Sequence, residues 1–227
     1  MTKKKLDSYK GKLSAHQVAA GINAAIQNAR RLSEDASLLF EAGRFPSAAS
    51  LAILSIEESG KVSILRSLAL AKTSEEISDA WRDYRSHTKK NASWLLPQLA
   101  EQGARKLDDF KPLFEESLDH PYVLDQLKQI AFYTDCLGGA HWSMPQEVID
   151  GALAKMLIQV ARVLAKDKQV SKTEVDLWIK HIGPVWKRDP SWMKQALCNW
   201  YREMQDAGLA PAGENEMEKF IKSGLSK

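Results

Sequence analysis

The sequence is short of everything that marks a disulfide-stapled, sheet-rich or membrane-spanning chain. Among 227 residues there are 2 cysteines, Cys136 and Cys198. They cannot make a disulfide framework and form no CxxC pair, which fits a reducing compartment. Glycine (12) and proline (8) are sparse, and alternating β-branched runs are nearly absent, so nothing reads as a hairpin or a βαβ unit. The longest uncharged apolar stretch, Phe45 to Ile56, falls short of the roughly 20 residues that cross a bilayer. The start, Met1 to Lys5 followed by Leu6-Asp7-Ser8, carries no apolar segment, so no signal peptide is read. These absences lead to the expectation of a soluble, cytoplasmic protein with no membrane partner.

A large charge of one sign is missing too. The 32 basic and 29 acidic residues leave a formal net charge of +3, which argues against a highly basic nucleic-acid coat and leaves room for local basic patches. No HExxH, clustered Cys/His or DxDxDG pattern occurs, so no metal site is expected. Without a P-loop, a GxGxxG or a GxSxG motif, no cofactor and no serine nucleophile are expected either.

What is present is helical periodicity almost everywhere, with 44% hydrophobic and 27% charged residues, the composition of a folded all-α protein. Residues 1–13 read as a basic flexible tail. A long helix is expected from about Ser14 to Ala42, stopped by Gly43, and a second from Phe45-Pro46 to about Ala71. Thr73 to Glu76 reads as a capping box for a third helix carrying Trp81 to Trp94. Pro121 opens a further helix that runs to the Gly138-Gly139 break, and Pro145 another. These elements make a bundle over 14–166. Beyond Lys166 the composition changes, and 171–227 reads as a smaller helical extension rich in tryptophan (Trp178, Trp186, Trp192, Trp200). Those four residues suit either the core of the extension or a surface for a protein partner.

The second helix carries the chemistry. It is apolar almost all round from Ala48 to Ile56 and belongs in the centre of a bundle. It nevertheless continues into Glu57-Glu58-Ser59-Gly60-Lys61, and charges on a core helix need partners. The i,i+4 spacing lets Glu57 pair with Lys61, leaving Glu58 for a partner on another helix. Gly60 costs about 1 kcal/mol in a helix interior, so close approach of a neighbour is expected there.

Arg44 to Ala48, together with Ser50 to Lys61, resembles the signature of AbiV-type abortive-infection proteins. The similarity continues in His87-Thr88-Lys89-Lys90 and, more loosely, from Phe132 to Trp142, and covers roughly residues 15–166. The resemblance implies a HEPN-like helical bundle and a bacterial antiphage effector that arrests translation. It also implies RNA as the substrate, a homodimer with its cleft on the two-fold axis, and a phage-encoded activator protein as a further partner. Many HEPN proteins are metal-independent endoribonucleases with an arginine followed, four to six residues later, by a histidine. Arg82 and His87 match that spacing as the catalytic pair. Glu57, Glu58 and Lys61 would be a supporting polar network, and Arg85 and Lys90 would bind RNA phosphates.

Histidine suits the role because it exchanges protons near neutral pH, while arginine stabilises a charged phosphorane. Two features depart from the family pattern. At least two helices follow the motif, and on a continuous helix an i,i+5 pair is splayed about 140° apart. A kink, a helix start or a dimer partner would have to unite the pair. The rival reading is a non-catalytic module that blocks translation or a phage protein by binding it, with Arg82 and His87 on a solvated basic face.

Overall fold

The computed structural model describes residues 8–114 and 119–224; the Lys3-Lys4-Lys5 run lies outside them. Helix α1 (Ala15–Glu41) opens on a reciprocal cap between Ser14 and Gln17. It closes at Gly43, whose φ of +70° suits a residue without a Cβ. Helix α2 (Phe45–Leu70) starts with Pro46 in its first turn and runs back along α1. Ala36 therefore meets Ala48 and Ala49 near the turn, and Val18 and Ile22 meet Leu65 and Leu68 far from it. Small residues let the two backbones close up: Ser55 Oγ donates to the Ala29 carbonyl at 2.7 Å.

Helix α2 is the axle, as its all-round apolar sequence predicts. Helix α8 (Gly151–Leu164), capped by Asp150, lays Ala154, Leu157, Ile158 and Ala161 on Ala49, Ala52 and Ile53. Helix α6 (His120–Phe132) adds Leu124 and Ala131 to the same core. Helix α3 (Ser74–Arg85) carries the expected capping box from Thr73 and Glu76 and buries Ala80 and Trp81 in a second core with Val18 and Leu65.

Two expectations change. The third helix does not reach Trp94: it stops at Arg85, and a short helix α4 (His87–Lys90) starts afresh. Ser86, at ψ 128°, ends one and caps the other through its hydroxyl and the Lys89 N–H, the local side-chain bonding by which serine competes with a continuing helix. Helix α5 (Leu96–Glu101) follows. The expected absence of hairpins fails as well. Helix α6 ends at Phe132, and β1 (Asp135–Leu137) pairs antiparallel with β2 (His141–Ser143) across a turn holding Gly138 at φ +51° and Ala140 at φ +65°. Two strands of three residues leave too little alternation to read from sequence. The short helix α7 (Pro145–Val148) leads on to α8.

The C-terminal helices α9 (Lys172–Ile182), α10 (Pro190–Asp206) and α11 (Glu216–Lys222) share their core with the bundle. Val175 packs with Val18, and Ile182 with Leu70. Arg66 of α2 donates to the buried Glu174 at 2.9 Å and lies over the rings of Trp178 and Trp200, which meet edge to face. Trp186 packs beside them, whereas Trp192 is 56% exposed. No helix among the described residues is long and apolar enough to cross a membrane.

Candidate active site around Glu57 and His87

Gly60 sets the geometry. A Cβ at this position would stand 1.9 Å from the Lys90 carbonyl oxygen, so only glycine lets α4 rest directly on α2. The close approach expected from the glycine is there, and α4 is what approaches. One turn before Gly60, Glu57 is 3% exposed and receives everything α4 and α6 bring. Its Oε2 lies 2.7 Å from His87 Nδ1 and 3.5 Å from Lys90 Nζ, and its Oε1 accepts from Lys128 Nζ at 2.5 Å. Lys128 Nζ also stands 2.8 Å from Asp125 Oδ1.

Electrostatics follow from burial. For Lys128, burial alone would lower the pKa, but Asp125 and Glu57 together outweigh it and raise the value. For Lys90, burial dominates and the ammonium is pushed down, with Glu57 opposing. As a carboxylate, Glu57 can only accept, so Nδ1 of His87 carries the hydrogen between them. That fixes the neutral ring as the tautomer with a lone pair on Nε2. The His87 side chain is 54% exposed. A half-open imidazole, held by a buried carboxylate and offering one basic nitrogen, is equipped for proton transfer.

The expected pairing inside α2 is exchanged. Lys61 donates to Glu58 at 2.5 Å, one turn apart, and lies 5.1 Å from the centre of the Tyr84 ring. Glu57, the more buried carboxylate, is the one that reaches other helices. Arg82 is not brought to His87. Its guanidinium pairs with Asp79 at 2.9 Å on the open face of α3, 71% exposed. Arg85 donates to the carbonyls of Trp81 and Tyr9 and lies over the Trp81 ring, while Trp81 Nε1 donates to the Gly11 carbonyl. Arg85 thus straps residues 9–11 to α3 and is not free for phosphate. Lys90 is 7% exposed and spent on Glu57.

Sequence reasoning missed Lys128 and Asp125. The available signal was an i,i+3 acid–base pair on the face of α6 that also carries Leu124 and Ala131. Glu57, His87 and Asp125 each bring one donor atom within 4.8 Å of the others, a set that could hold a divalent ion. The Lys128 ammonium lies 2.5 Å from Glu57 Oε1 and 2.8 Å from Asp125 Oδ1, so those two carboxylates already share a cation. His141, Trp142 and Cys136 lie on the exposed hairpin, away from this cluster, and Cys198 is buried in α10.

Against this geometry stands one finding from known proteins. A family model described as HEPN_AbiV (AbiV) matches residues 17–166, the span from α1 to the end of α8. No curated protein and no solved structure matches the chain.

Proposed function

This chain belongs to the AbiV family of HEPN proteins, and on that premise we propose that it is an abortive-infection effector that cuts RNA without a metal and so arrests translation. The observation that carries the proposal is the Glu57–His87 pair. His87 Nε2 takes the proton of a ribose 2′-hydroxyl as that oxygen attacks the adjacent phosphorus. The imidazolium then gives its proton to the leaving 5′-oxygen, the P–O5′ bond breaks, and a 2′,3′-cyclic phosphate remains. Glu57 holds the ring in the basic tautomer and stabilises the imidazolium that forms. Arg82, exposed and held only by Asp79, does not serve His87 of its own chain. We therefore keep the homodimer in the proposal, with a second copy completing the charge around the phosphate; light scattering that gives a monomer at micromolar concentration removes that part.

The test is total RNA incubated with purified protein in EDTA. The wild type should cleave, and His87→Ala should lose about 10²–10⁴ in rate while keeping its fold. Cleavage that persists in His87→Ala, or that requires an added metal, overturns the reading. The rival reading, a non-catalytic binding module, draws on the hairpin and the helix end before it: Phe132 and Tyr133 at the end of α6 and Leu137 and Trp142 on the strands are all exposed, apolar surface suited to a protein partner. Growth arrest that survives His87→Ala but fails in Trp142→Ser would favour it.

A further inference from the structure

Of the four C-terminal tryptophans, Trp178, Trp186 and Trp200 pack into the cores of the extension, and Trp192 does not. It stands 56% exposed on the first turn of α10. Gln195, Ala196 and Asn199 follow it at i+3, i+4 and i+7, so one stripe of α10 carries a ring, a small flat residue and two amides. The end of α9 faces that stripe with Lys180 and His181. Together they line an open cavity of about 310 Å³, at the lower end of the ligand-pocket range.

The polar groups are prearranged. Gln195 Nε2 donates to Asn199 Oδ1 at 3.1 Å, which leaves the Gln195 carbonyl oxygen and the Asn199 amide nitrogen, an acceptor and a donor, for a ligand. Lys180 Nζ and His181 Nε2 both bond to Glu203, at 2.6 and 2.5 Å. One carboxylate thus fixes two basic side chains at the rim, and those hydrogen bonds hold Glu203 below the usual carboxylate range.

We infer that this cavity is a docking subsite for one base of a single-stranded RNA, stacked on Trp192 with its edge read by Gln195 and Asn199. A planar base offers a π-face to an exposed indole and donor–acceptor edges to amides; Lys180 and His181, both held by Glu203, wall the cavity without being offered to its phosphate. The subsite lies outside residues 17–166 and outside the Glu57–His87 cluster. The inference rests on the RNA part of the proposed function but needs no cleavage.

The experiment measures binding of a short fluorescein-labelled single-stranded RNA by anisotropy, in the full chain carrying His87→Ala so that the probe stays intact. Adding Trp192→Ala should raise Kd about 5- to 150-fold, the scale of one lost base stack. Trp192→Phe, which keeps a ring, should recover most of the affinity. Circular dichroism should be unchanged, since Trp192 supports no core. Equal affinity with and without Trp192, or no binding of the probe by the His87→Ala chain, overturns the subsite. If RNA binds through Trp192 while the wild type leaves RNA uncut, the cleavage reading falls and the subsite stands.

Discussion

The chain contains two clusters of the same three residue types, and they differ in which member is buried. Around Glu57, the carboxylate is 3% exposed and the histidine 54%. Around Glu203, the carboxylate is 34% exposed and the histidine 18%. Glu57 draws its partners from α4 and α6, 30 and 71 residues further along the chain, whereas Glu203 draws neighbours, Lys180 and His181, from one turn of α9. The first cluster therefore organises three helices and presents an oriented imidazole to solvent. The second ties two adjacent helices at the surface, where water and salt screen its charges. Burying the anion and exposing the ring leaves an oriented imidazole open to solvent; the reverse arrangement gives a latch and the wall of a pocket.

The sharpest way to break that contrast is to remove each carboxylate. Glu57→Ala leaves Lys90 buried without its anion and Lys128 with Asp125 alone, and should cost about 3–5 kcal/mol, read as a loss of urea midpoint. Glu203→Ala should leave the midpoint almost unmoved, and high salt should shrink even that small change. Equal losses from the two would mean that burial does not distinguish them.

Next in size is Gly60→Ala. The added carbon meets backbone rather than a flexible side chain, so α4 must lift from α2. The expected cost is about 1–3 kcal/mol, and His87 should lose its bond to Glu57. Nitrogen-15 NMR of the imidazole checks the second part, because the tautomer preference should relax toward that of a free histidine.

The two clusters should also separate on a pH axis. The raised Lys128 value means that its contribution is fully present below the ordinary lysine value of 10.5 and is lost as pH rises through the folded value. The lowered Glu203 value means that its contribution is present above the ordinary 4.5 and is lost as pH falls through the folded value. Thermal melts should therefore show an alkaline limb that weakens in Lys128→Met, and at most a faint acid limb that disappears in Glu203→Gln, since water screens the Glu203 pairs. Swapped limbs would contradict both assignments.

The smallest expected effect is Arg82→Ala. An exposed guanidinium paired only with exposed Asp79 should change stability by no more than about 0.5 kcal/mol, and the His87 tautomer should not respond. A large change in the imidazole spectrum would show that Arg82 does reach His87 in solution.

Much of this site was legible before the fold. An apolar helix interrupted by Glu57, Glu58 and Lys61 had to find buried partners, and Gly60 had to be where another helix came close. The pairing inside that network was not legible. Helical spacing allows Glu57–Lys61 and Glu58–Lys61 alike, and which carboxylate turns inward depends on the packing of α4 and α6. What the Arg82/His87 spacing does in space was not legible either, because a motif fixes separation along the chain and not the direction taken after Ser86.

The sequence alone determined the helical class, the capping box of α3, the glycine stop of α1 and the central place of α2. Each of these follows from local hydrogen bonding or from apolar periodicity over a few turns, which neighbouring residues specify by themselves. Only the tertiary structure decided that Glu57 would hold His87 and Lys128, that Arg85 would strap the N-terminal segment, and that Trp192, of the four C-terminal tryptophans, would be left out of the cores. Those outcomes depend on contacts between residues far apart along the chain, where the geometry is set by how whole helices pack and not by anything their own segments encode.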